Sequence, residues 1–257
     1  MQFEALDSMM RVYETAHDFS VLPNVYMVAR VDGRNFTRLT KDEHKFQAPF
    51  DPIFRDYMLD TVEHLMTCGF KIVYGYTQSD EISLLFDLAE DTFSRKLRKL
   101  NSVLASEASA KFSLLLGSMG CFDCRISQLP NFDLVIDYFS WRQQDAYRNS
   151  LSSHCYWSLR RSGKSPRKAT SIMAGMKEAD KHELLFQQGI NFNDLPTWQK
   201  RGSGMYWETY EKIGYNPIKK EEAVTTRNRI KRDLELPMKE DYRQFLLDFK
   251  DNAIALA

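Results

Sequence analysis

The first half of the chain alternates between stretches with helical spacing of apolar residues and short runs that are continuously apolar. Helical spacing predicts helices over residues 7–19, 52–68 and 93–116. β-Branched and aromatic runs predict strands over 25–31, 70–76, 81–86 and 122–127, with 134–136 as a further candidate. The resulting order β-α-β-β-α-β is typical of an antiparallel ferredoxin-like or polymerase-palm sheet with flanking helices, so the sequence predicts an α+β fold.

The second half of the chain is predicted to be mostly helical. Apolar periodicity indicates helices over 139–162, 166–176, 181–188 and 239–249, and a hairpin rich in Tyr and Trp within 202–215. No break in composition marks a linker between the halves. We therefore expect a palm-like catalytic region at 1–136, and a helical and hairpin region at 137–257 that completes one compact body.

The composition is that of an ordinary globular protein, with 43% hydrophobic and 27% charged residues. No apolar run approaches the roughly 20 residues that a membrane-spanning helix needs, and residues 1–7 lack the layout of a secretion signal. Cys121 and Cys124 match CxxC spacing, but no second pair follows, which favours core thiols over a metal site. We expect a cytoplasmic protein without a membrane partner.

Charge is balanced overall and clustered locally. Lys and Arg total 35, as do Asp and Glu, so the formal net charge is zero. Basic residues concentrate at 95–99 and 219–232, and acidic residues between Asp80 and Asp91. This pattern favours an acidic metal centre with separate basic surfaces for phosphate, although a solvated helix face explains either basic run taken alone.

Two acids stand where packing does not explain them. Asp32 follows a predicted buried strand and precedes Gly33, whose missing side chain lets the backbone approach a ligand closely. Asp80 falls at the predicted hairpin turn, which in a β-α-β-β sheet lies beside the exit of the first strand. Converging carboxylates suit Mg²⁺, and a pair of such ions promotes phosphoryl transfer. The pattern indicates a metal site without identifying a reaction.

Four motifs resemble those of a known family, in the same order. They are Arg30-Val-Asp-Gly-Arg-Asn-Phe36, Tyr76-Thr-Gln-Ser-Asp-Glu81, Asp137-Tyr-Phe-Ser-Trp-Arg-Gln-Gln-Asp145 and Ala179-Asp-Lys-His-Glu-Leu-Leu-Phe186. From about Val25 to Lys200, the chain resembles the tRNA-histidine guanylyltransferase family, most of all its 3′-to-5′ polymerase relatives, the guanylyltransferase-like proteins. The resemblance implies a polymerase-like palm, a homotetramer and two Mg²⁺ ions per active site. It further implies that a tRNA 5′ end, activated by ATP or already a triphosphate, is attacked by the 3′-hydroxyl of GTP or another nucleotide.

The family's residue roles transfer to the matching positions. The resemblance assigns catalysis to Asp32, Asp80 and Glu81, and metal binding to Asp32, the Gly33 carbonyl and Asp80. Nucleotide binding is assigned to Asp32, Gly33, Arg34, Asn35, Phe36, Thr37, Ser79, Asp80, Arg95 and Lys99. Contacts with tRNA are assigned to Asn149 and Lys181, and the second basic run adds Arg227, Arg229 and Lys231 as phosphate contacts.

Departures from the family pattern favour repair of truncated tRNA. Residues 146–150 replace a His-Ile-Asn-Asn stretch that belongs to tRNA recognition, and only Asn149 is kept. Thr37 stands where the eukaryotic enzymes have histidine, and Ala48 lies near a usual lysine. We therefore predict template-directed 3′-to-5′ addition of nucleotides to 5′-truncated tRNA. The alternatives are histidine-specific addition of one 5′ guanosine, a nucleotidyl cyclase, and a catalytically silent tRNA-binding protein.

Overall fold

The structure, a computed structural model, describes residues 2–216 and 221–251; Lys219 and Lys220 of the second basic run lie outside the described residues. The first half contains α1 (Phe3–Thr15), β1 (Tyr26–Gly33), α2 (Phe36–Arg38), α3 (Pro52–Thr67), β2 (Ile72–Gln78), β3 (Glu81–Phe86), α4 (Leu97–Leu116) and β4 (Phe122–Leu129). The second half adds α5 (Phe132–Arg161), α6 (Pro166–Met173), α7 (Glu178–Phe186), α8 (Thr197–Arg201), β5 (Ser203–Asn216), β6 (Glu221–Asp233) and α9 (Glu240–Asp251). The predicted order of the first half is confirmed.

The starts of two helices follow from side-chain caps. Asp51 accepts hydrogen bonds from the N–H groups that open α3, and Pro52 occupies a position where no N–H is needed. Asn131 accepts from the Leu134 N–H at 3.0 Å and starts α5. The candidate strand at 134–136 is therefore wrong, because this short apolar run is the first buried part of a 30-residue helix.

The predicted helix over 93–116 begins later than expected. Phe93, Ser94 and Arg95 all take positive φ, between 52° and 57°, which is incompatible with a right-handed helix. A short 3₁₀ turn, Thr92–Arg95, occupies this place, and α4 itself starts at Leu97.

The six described strands form one antiparallel sheet in the order β4-β1-β3-β2-β5-β6. The predicted α+β, palm-like arrangement is confirmed. β1 lies between β3 and β4, and its register pairs Asp32 with Glu81 on one side and with Asp123 on the other. Acids from three neighbouring strands consequently meet near the end of β1.

Alternation along β1 divides the core into two layers. Met27, Ala29 and Val31 pack with the residues of α3 and α4, while Val28 packs with those of α5 and α9. Because successive strand residues point to opposite faces, Arg30 and Asp32 share the face of Val28. The layer that contains α5 therefore also faces the charged end of β1.

The predicted hairpin within 202–215 is wrong. These residues form most of a single strand, β5, and its partner β6 contains the described part of the second basic run. β5 pairs with β2 only from Ser203 to Tyr206, so the remainder of β5 and β6 extends past the sheet as a two-stranded ribbon. The helix-face interpretation of 219–232 is thus wrong for its described part, since these cations have the spacing of a strand.

The two halves of the chain share the sheet. The predicted division at residue 136 falls inside α5, and the second half supplies β5 and β6. Within the ranges that the structure describes, no helix has both the length and the apolar character needed to cross a membrane.

Candidate active site

Gly33 allows the end of β1 to lie against the β2–β3 turn. Its N–H donates to the Asp80 carbonyl oxygen at 3.0 Å. A Cβ at position 33 would lie 2.6 Å from the Phe36 ring and 2.9 Å from the Asp80 Cβ, so no other residue fits without displacing a neighbour. Asp32 and Asp80 consequently come together, as the strand order predicts.

The β2–β3 turn consists of Ser79 and Asp80, between the paired residues Gln78 and Glu81. Ser79 adopts a left-handed conformation with φ +55°, and its hydroxyl donates to the Asp80 carboxylate at 3.1 Å. Burial raises the pKa of the Asp80 carboxyl, and the negative charge of Asp32 raises it further. A cation beside both carboxylates would stabilise their ionised forms.

A chain of ion pairs connects α5 to Asp32. Arg142, which is only 5% exposed, donates to both carboxylate oxygens of Glu81 at 3.1 and 3.0 Å. Arg30 contacts Glu81 at 2.6 Å and Asp32 at 3.2 Å, and Arg125 on β4 contacts Asp32 at 3.4 Å. Burial raises the pKa of Glu81, while the charges of Arg142 and Arg30 oppose that shift.

Glu81 contacts both Arg142 and Arg30 in this series of ion pairs. Its geometry therefore supports a role in positioning Arg30 and, through Arg30, Asp32. Sequence reasoning missed Arg142 and Arg125. Strand register would have indicated Arg125, which lies directly opposite Arg30. No signal in the linear sequence shows which acid Arg142 reaches, because that depends on how α5 packs on the sheet.

The segment after Gly33 offers fewer free amides than expected for phosphate binding. The Gly33 N–H is bound to the β2–β3 turn, and the Arg34 N–H donates to the Cys121 carbonyl at 2.8 Å. The amides without a backbone partner among the described residues belong to Asn35, Phe36 and Thr37. Since the Phe36 side chain is buried in the core, it can contact a nucleotide only through its backbone.

A cavity of about 100 Å³ opens beside the β2–β3 turn. Its wall combines turn residues, the loop before α3 and aromatic residues from the second half, among them Ser79, Gln47, Ala48, Asp51, Trp157 and Trp198. The Arg55 guanidinium lies 4.7 Å from the centre of the Trp198 ring. Sequence analysis did not find this cavity, because its wall is assembled from segments that are distant in the chain.

Arg95 and Lys99 lie at the opposite end of the sheet from Asp32. The buried Arg95 guanidinium donates to the Val25 carbonyl at 2.5 Å and to carbonyls of the loop before it. Val25 precedes β1 whereas Asp32 is near its end, and a strand of eight residues spans about 23 Å. Arg95 therefore secures the start of β1, about one strand length from Asp32, and its assignment to nucleotide binding stays a prediction. Lys99, over the Phe93 ring at 5.9 Å, is at the same distant end.

The residues assigned to tRNA lie on two separate surfaces. On the first, Lys181 of α7 donates to the Ser152 hydroxyl at 2.9 Å, and the exposed Asn149 of α5 donates to Asp145. The second is one face of the ribbon, where alternate β6 residues point the same way. It carries Arg227, Arg229 and Lys231 with their cross-strand partners Tyr210, Glu208 and Tyr206.

The ribbon face combines cations with aromatic rings. The Arg229 guanidinium lies 5.0 Å from the centre of the Tyr210 ring, and the Lys231 ammonium lies 5.5 Å from that of Tyr206. Arg229 also pairs with Glu208 at 2.6 Å. Such a surface can contact phosphates through its cations and bases through its rings.

The residues at the end of β1 fit a magnesium ion. No group of three or more His, Cys, Asp or Glu side chains suited to a metal occurs in the described part of the chain. The groups that would hold the ion are the carboxylates of Asp32 and Asp80 with the Gly33 carbonyl. Mg²⁺ commonly takes one or two protein carboxylates and completes its coordination with water and substrate phosphate. The close approach that Gly33 permits suits such a site.

The fold and site together define a class of protein. An antiparallel palm-like sheet with two converging carboxylates at a strand end, beside a cavity, is the arrangement of a nucleotidyltransferase. Family models agree: the model described as tRNAHis guanylyltransferase matches residues 7–134, and that of the Thg1 C terminal domain matches residues 133–243. The chain belongs to the tRNAHis guanylyltransferase family.

Individual relatives agree with this assignment. A probable tRNA(His) guanylyltransferase of Drosophila melanogaster is 35% identical over 196 residues, covering 72% of this chain and 68% of the relative. A solved bacterial tRNA(His) guanylyltransferase (Thg1)-like protein in complex with GTP has a TM-score of 0.73 and 30% identity, and the match covers 95% of this chain and 98% of that one. The corresponding ATP complex has a TM-score of 0.74, with the same identity and coverage.

Proposed function

We propose that this protein adds nucleotides in the 3′-to-5′ direction to the 5′ end of truncated tRNA, with the opposite strand as template. Membership of the family supports nucleotide addition at a tRNA 5′ end. Related bacterial proteins bind GTP and ATP, the nucleotides that addition and 5′ activation require. The observation that carries the proposal is the meeting of Asp32 and Asp80 beside a cavity.

Two Mg²⁺ ions belong to the proposed site. Asp32, Asp80 and the Gly33 carbonyl would hold them, together with phosphate oxygens of the substrates. When bound, Mg²⁺ favours the ionised form of the attacking hydroxyl and neutralises charge that develops on the leaving oxygen. The pKa of Asp80 is raised by burial and by the charge of Asp32, and a bound cation would stabilise its ionised form. This raised pKa supports the assignment.

The remaining residues bind and orient the nucleotides. The free amides of Asn35, Phe36 and Thr37, with the exposed Arg34 side chain, would bind triphosphate. The Ser79 hydroxyl contacts the Asp80 carboxylate, and Ser79 also lines the cavity. A nucleotide with its phosphates at Asp80 would therefore place its base or sugar in the cavity. One site of this kind serves both 5′ activation and nucleotide addition, because both are phosphoryl-transfer reactions.

Tyr147 supports repair over histidine-specific addition. It stands where the resemblance places the histidine of the tRNA-recognition stretch, and its hydroxyl lies 3.1 Å from Nε2 of His182. His182 in turn lies 3.9 Å from Glu178, and its ring packs against Phe192. A phenol held in this cluster presents different chemistry from a free imidazole, so we infer that selection for one tRNA is relaxed.

Three further proposals come from the family resemblance, the composition and the second basic run. We infer a homotetramer in the cytoplasm that holds tRNA through Asn149, Lys181 and the ribbon face of Arg227, Arg229 and Lys231. Light scattering on the purified protein tests the tetramer, and a monomer at micromolar concentration would contradict it.

An extension assay tests the proposed function. 5′-Truncated tRNA is incubated with all four NTPs and Mg²⁺, and wild-type protein is compared with Asp80→Ala and with Asp123→Ala. Asp123 is the matched control, because it pairs with Asp32 in the sheet but is exposed and lies outside the proposed metal site. We expect templated 5′ growth with the wild type and with Asp123→Ala, and a loss of at least about 100-fold with Asp80→Ala.

Other products would identify the alternatives. A single guanosine added only to full-length tRNA-histidine would contradict the repair proposal and establish histidine-specific addition. A cyclic nucleotide formed from NTPs without RNA would establish a cyclase. Binding of tRNA without any Mg²⁺-dependent product would leave a silent tRNA-binding protein.

A further inference from the structure

The region from the middle of α5 to the start of α7 is strongly basic in a chain of zero net charge. Residues 146–177 contain seven Lys or Arg and no Asp or Glu. Five of the seven fall within nine residues at the α5–α6 junction, and we call them the junction cations: Arg160, Arg161, Lys164, Arg167 and Lys168. None of the five forms an ion pair with another described residue, and all except Arg160 are exposed.

The backbone at the junction is fixed at both ends. Gly163 takes φ +86° and the Lys164 N–H donates to the Leu159 carbonyl at 3.1 Å, which closes α5 with a glycine cap. Ser165 then accepts from the Lys168 N–H at 3.2 Å and opens α6, which packs on α5 through the buried Ala169. The cations are therefore presented from a defined surface.

The internal structure accounts for only some of these charges. Arg160 and Arg161 lie in the last turn of α5, where the negative end of the helix dipole favours cations. Arg167 and Lys168 lie in the first turn of α6, where the positive end of the helix dipole disfavours cations. Lys164 lies between the helices. Three exposed cations without an internal partner, two of them at an unfavourable helix end, indicate an external anion.

The junction lies at the rim of the candidate active site. The Arg161 guanidinium donates to the Ala48 carbonyl at 3.3 Å, and Ala48 lines the same cavity as Ser79. Trp157, one helical turn before Arg161, also lines this cavity and has the Lys41 ammonium 5.8 Å from its ring centre. A polymer that reaches Asp80 across this rim would therefore pass close to these charges.

We propose that the junction cations bind the phosphate backbone of the tRNA acceptor stem next to its reacting 5′ end. The inference rests on the proposed function, and it assigns tRNA binding to residues distinct from the ribbon face. RNA is favoured over other polyanions, because the surface adjoins the cavity beside Asp32 and Asp80. The charges act through phosphate, so they hold the stem without selecting its sequence.

The test compares two triple variants. Lys164→Gln, Arg167→Gln and Lys168→Gln removes three charges, whereas Lys164→Arg, Arg167→Lys and Lys168→Arg keeps them. Binding of truncated tRNA is measured by fluorescence anisotropy from 50 to 300 mM KCl. We expect the Gln variant to flatten the plot of log affinity against log salt by about two to three units and to weaken binding about tenfold near 0.15 M salt. The charge-keeping variant should match the wild type.

Kinetics and footprinting separate this surface from the chemistry. The Gln variant should raise KM for tRNA and leave kcat at saturating tRNA within about twofold. Protection of acceptor-stem phosphates should disappear, while any protection elsewhere on the tRNA should persist. An unchanged salt slope, or equal losses in both variants, would overturn the inference. So would binding of the wild type to phosphatidylserine vesicles that the Gln variant loses, with tRNA binding unchanged. If the wild type binds tRNA with the expected slope but forms no product, the proposed function fails and this inference stands.

Discussion

At the scale of single residues, the candidate site is organised by arginines that the sequence motifs contain but do not explain. Arg142 is buried, and its guanidinium donates to the Glu81 carboxylate. Arg30 forms ion pairs with both Glu81 and Asp32. Breaking a buried ion pair from one side leaves an uncompensated charge and costs more than losing an exposed pair. Arg142 is therefore a positioning residue that acts on Asp32 through Glu81 and Arg30.

Arg142→Met should lower the free energy of unfolding by about 2–4 kcal/mol, because Glu81 is left with one partner in a half-buried place. Adding Glu81→Gln should recover part of that loss in urea denaturation, since the more buried of the two carboxylates that Arg142 contacts, Glu81 rather than Asp145, is then neutral. Arg125→Met is the control, because Arg125 is 58% exposed and its removal should cost less than about 1 kcal/mol. Equal losses for Arg142→Met and Arg125→Met would contradict the burial argument.

His154 should make the protein less stable in mild acid. Burial lowers its pKa to about 4, against about 6.5 for an exposed histidine, so the unfolded chain binds the proton more tightly than the folded one. The stability that neutral His154 provides is complete above about pH 6.5 and is lost as the pH falls toward 4. The loss is on the order of 2–3 kcal/mol.

Thermal unfolding from pH 7.5 to 4 tests this prediction. His154→Phe should flatten the decline in Tm over that window, because the replacement ring can keep the contacts with Phe50 and Phe192. His17→Gln, at an exposed position, should leave the wild-type decline unchanged. An identical pH profile for His154→Phe would exclude this histidine as the cause.

At the scale of elements, periodicity predicted the helices and strands that have a local apolar pattern. It missed the elements that are set by a helix cap or by pairing with another strand. The β1 run and the β2–β3 hairpin are clear in the sequence because each is bounded by turn residues and has strand-like composition. The three-residue run 134–136 is too short to reveal its period, and its helix is set by the Asn131 cap. β6 was missed because its strand spacing is carried by polar and charged residues rather than by apolar ones.

In the candidate site, too, residues placed by strand order were predicted, and residues placed by helix packing were not. Asp32 and Asp80 are found from the sequence because strand order alone brings a strand exit beside a hairpin turn. The cavity and Arg142 depend on how α5 and α8 lie on the sheet, which no local pattern encodes. The hydrogen bonds of Arg95 are equally hidden from the sequence: this basic residue of a charged run binds the backbone of its own chain.

α1 makes little contribution to the stability of the rest of the fold. None of its residues is buried, and Phe3, Val12 and Tyr13 are between 66% and 75% exposed. A chain that starts at Ala16 should therefore keep its Tm within about 1 °C of the full chain in calorimetry at low protein concentration. A fall of several degrees would show that α1 packs on the fold in solution.

At the scale of the whole molecule, charge separation compensates for the absence of net charge. A chain with a pI near 7 has no long-range attraction for tRNA as a whole. It has instead two basic surfaces in different parts of the fold, the ribbon face of β6 and the junction between α5 and α6. Binding to tRNA should then depend steeply on salt even though the protein is neutral.

Combining variants of the two surfaces tests whether one tRNA uses both. Arg227→Gln, Arg229→Gln and Lys231→Gln in the ribbon should lower the salt slope by about two units, since three cations are removed and Arg229 is already paired with Glu208. Adding the Gln substitutions at Lys164, Arg167 and Lys168 should lower the slope by the sum of the separate effects, because distant sites without shared partners act additively. If the combined variant behaves like the ribbon variant alone, the two surfaces do not act on the same RNA. Additive slopes, with kcat at saturating tRNA retained, would mean that the RNA is held by separate surfaces and that the reaction depends on the acids at the end of β1.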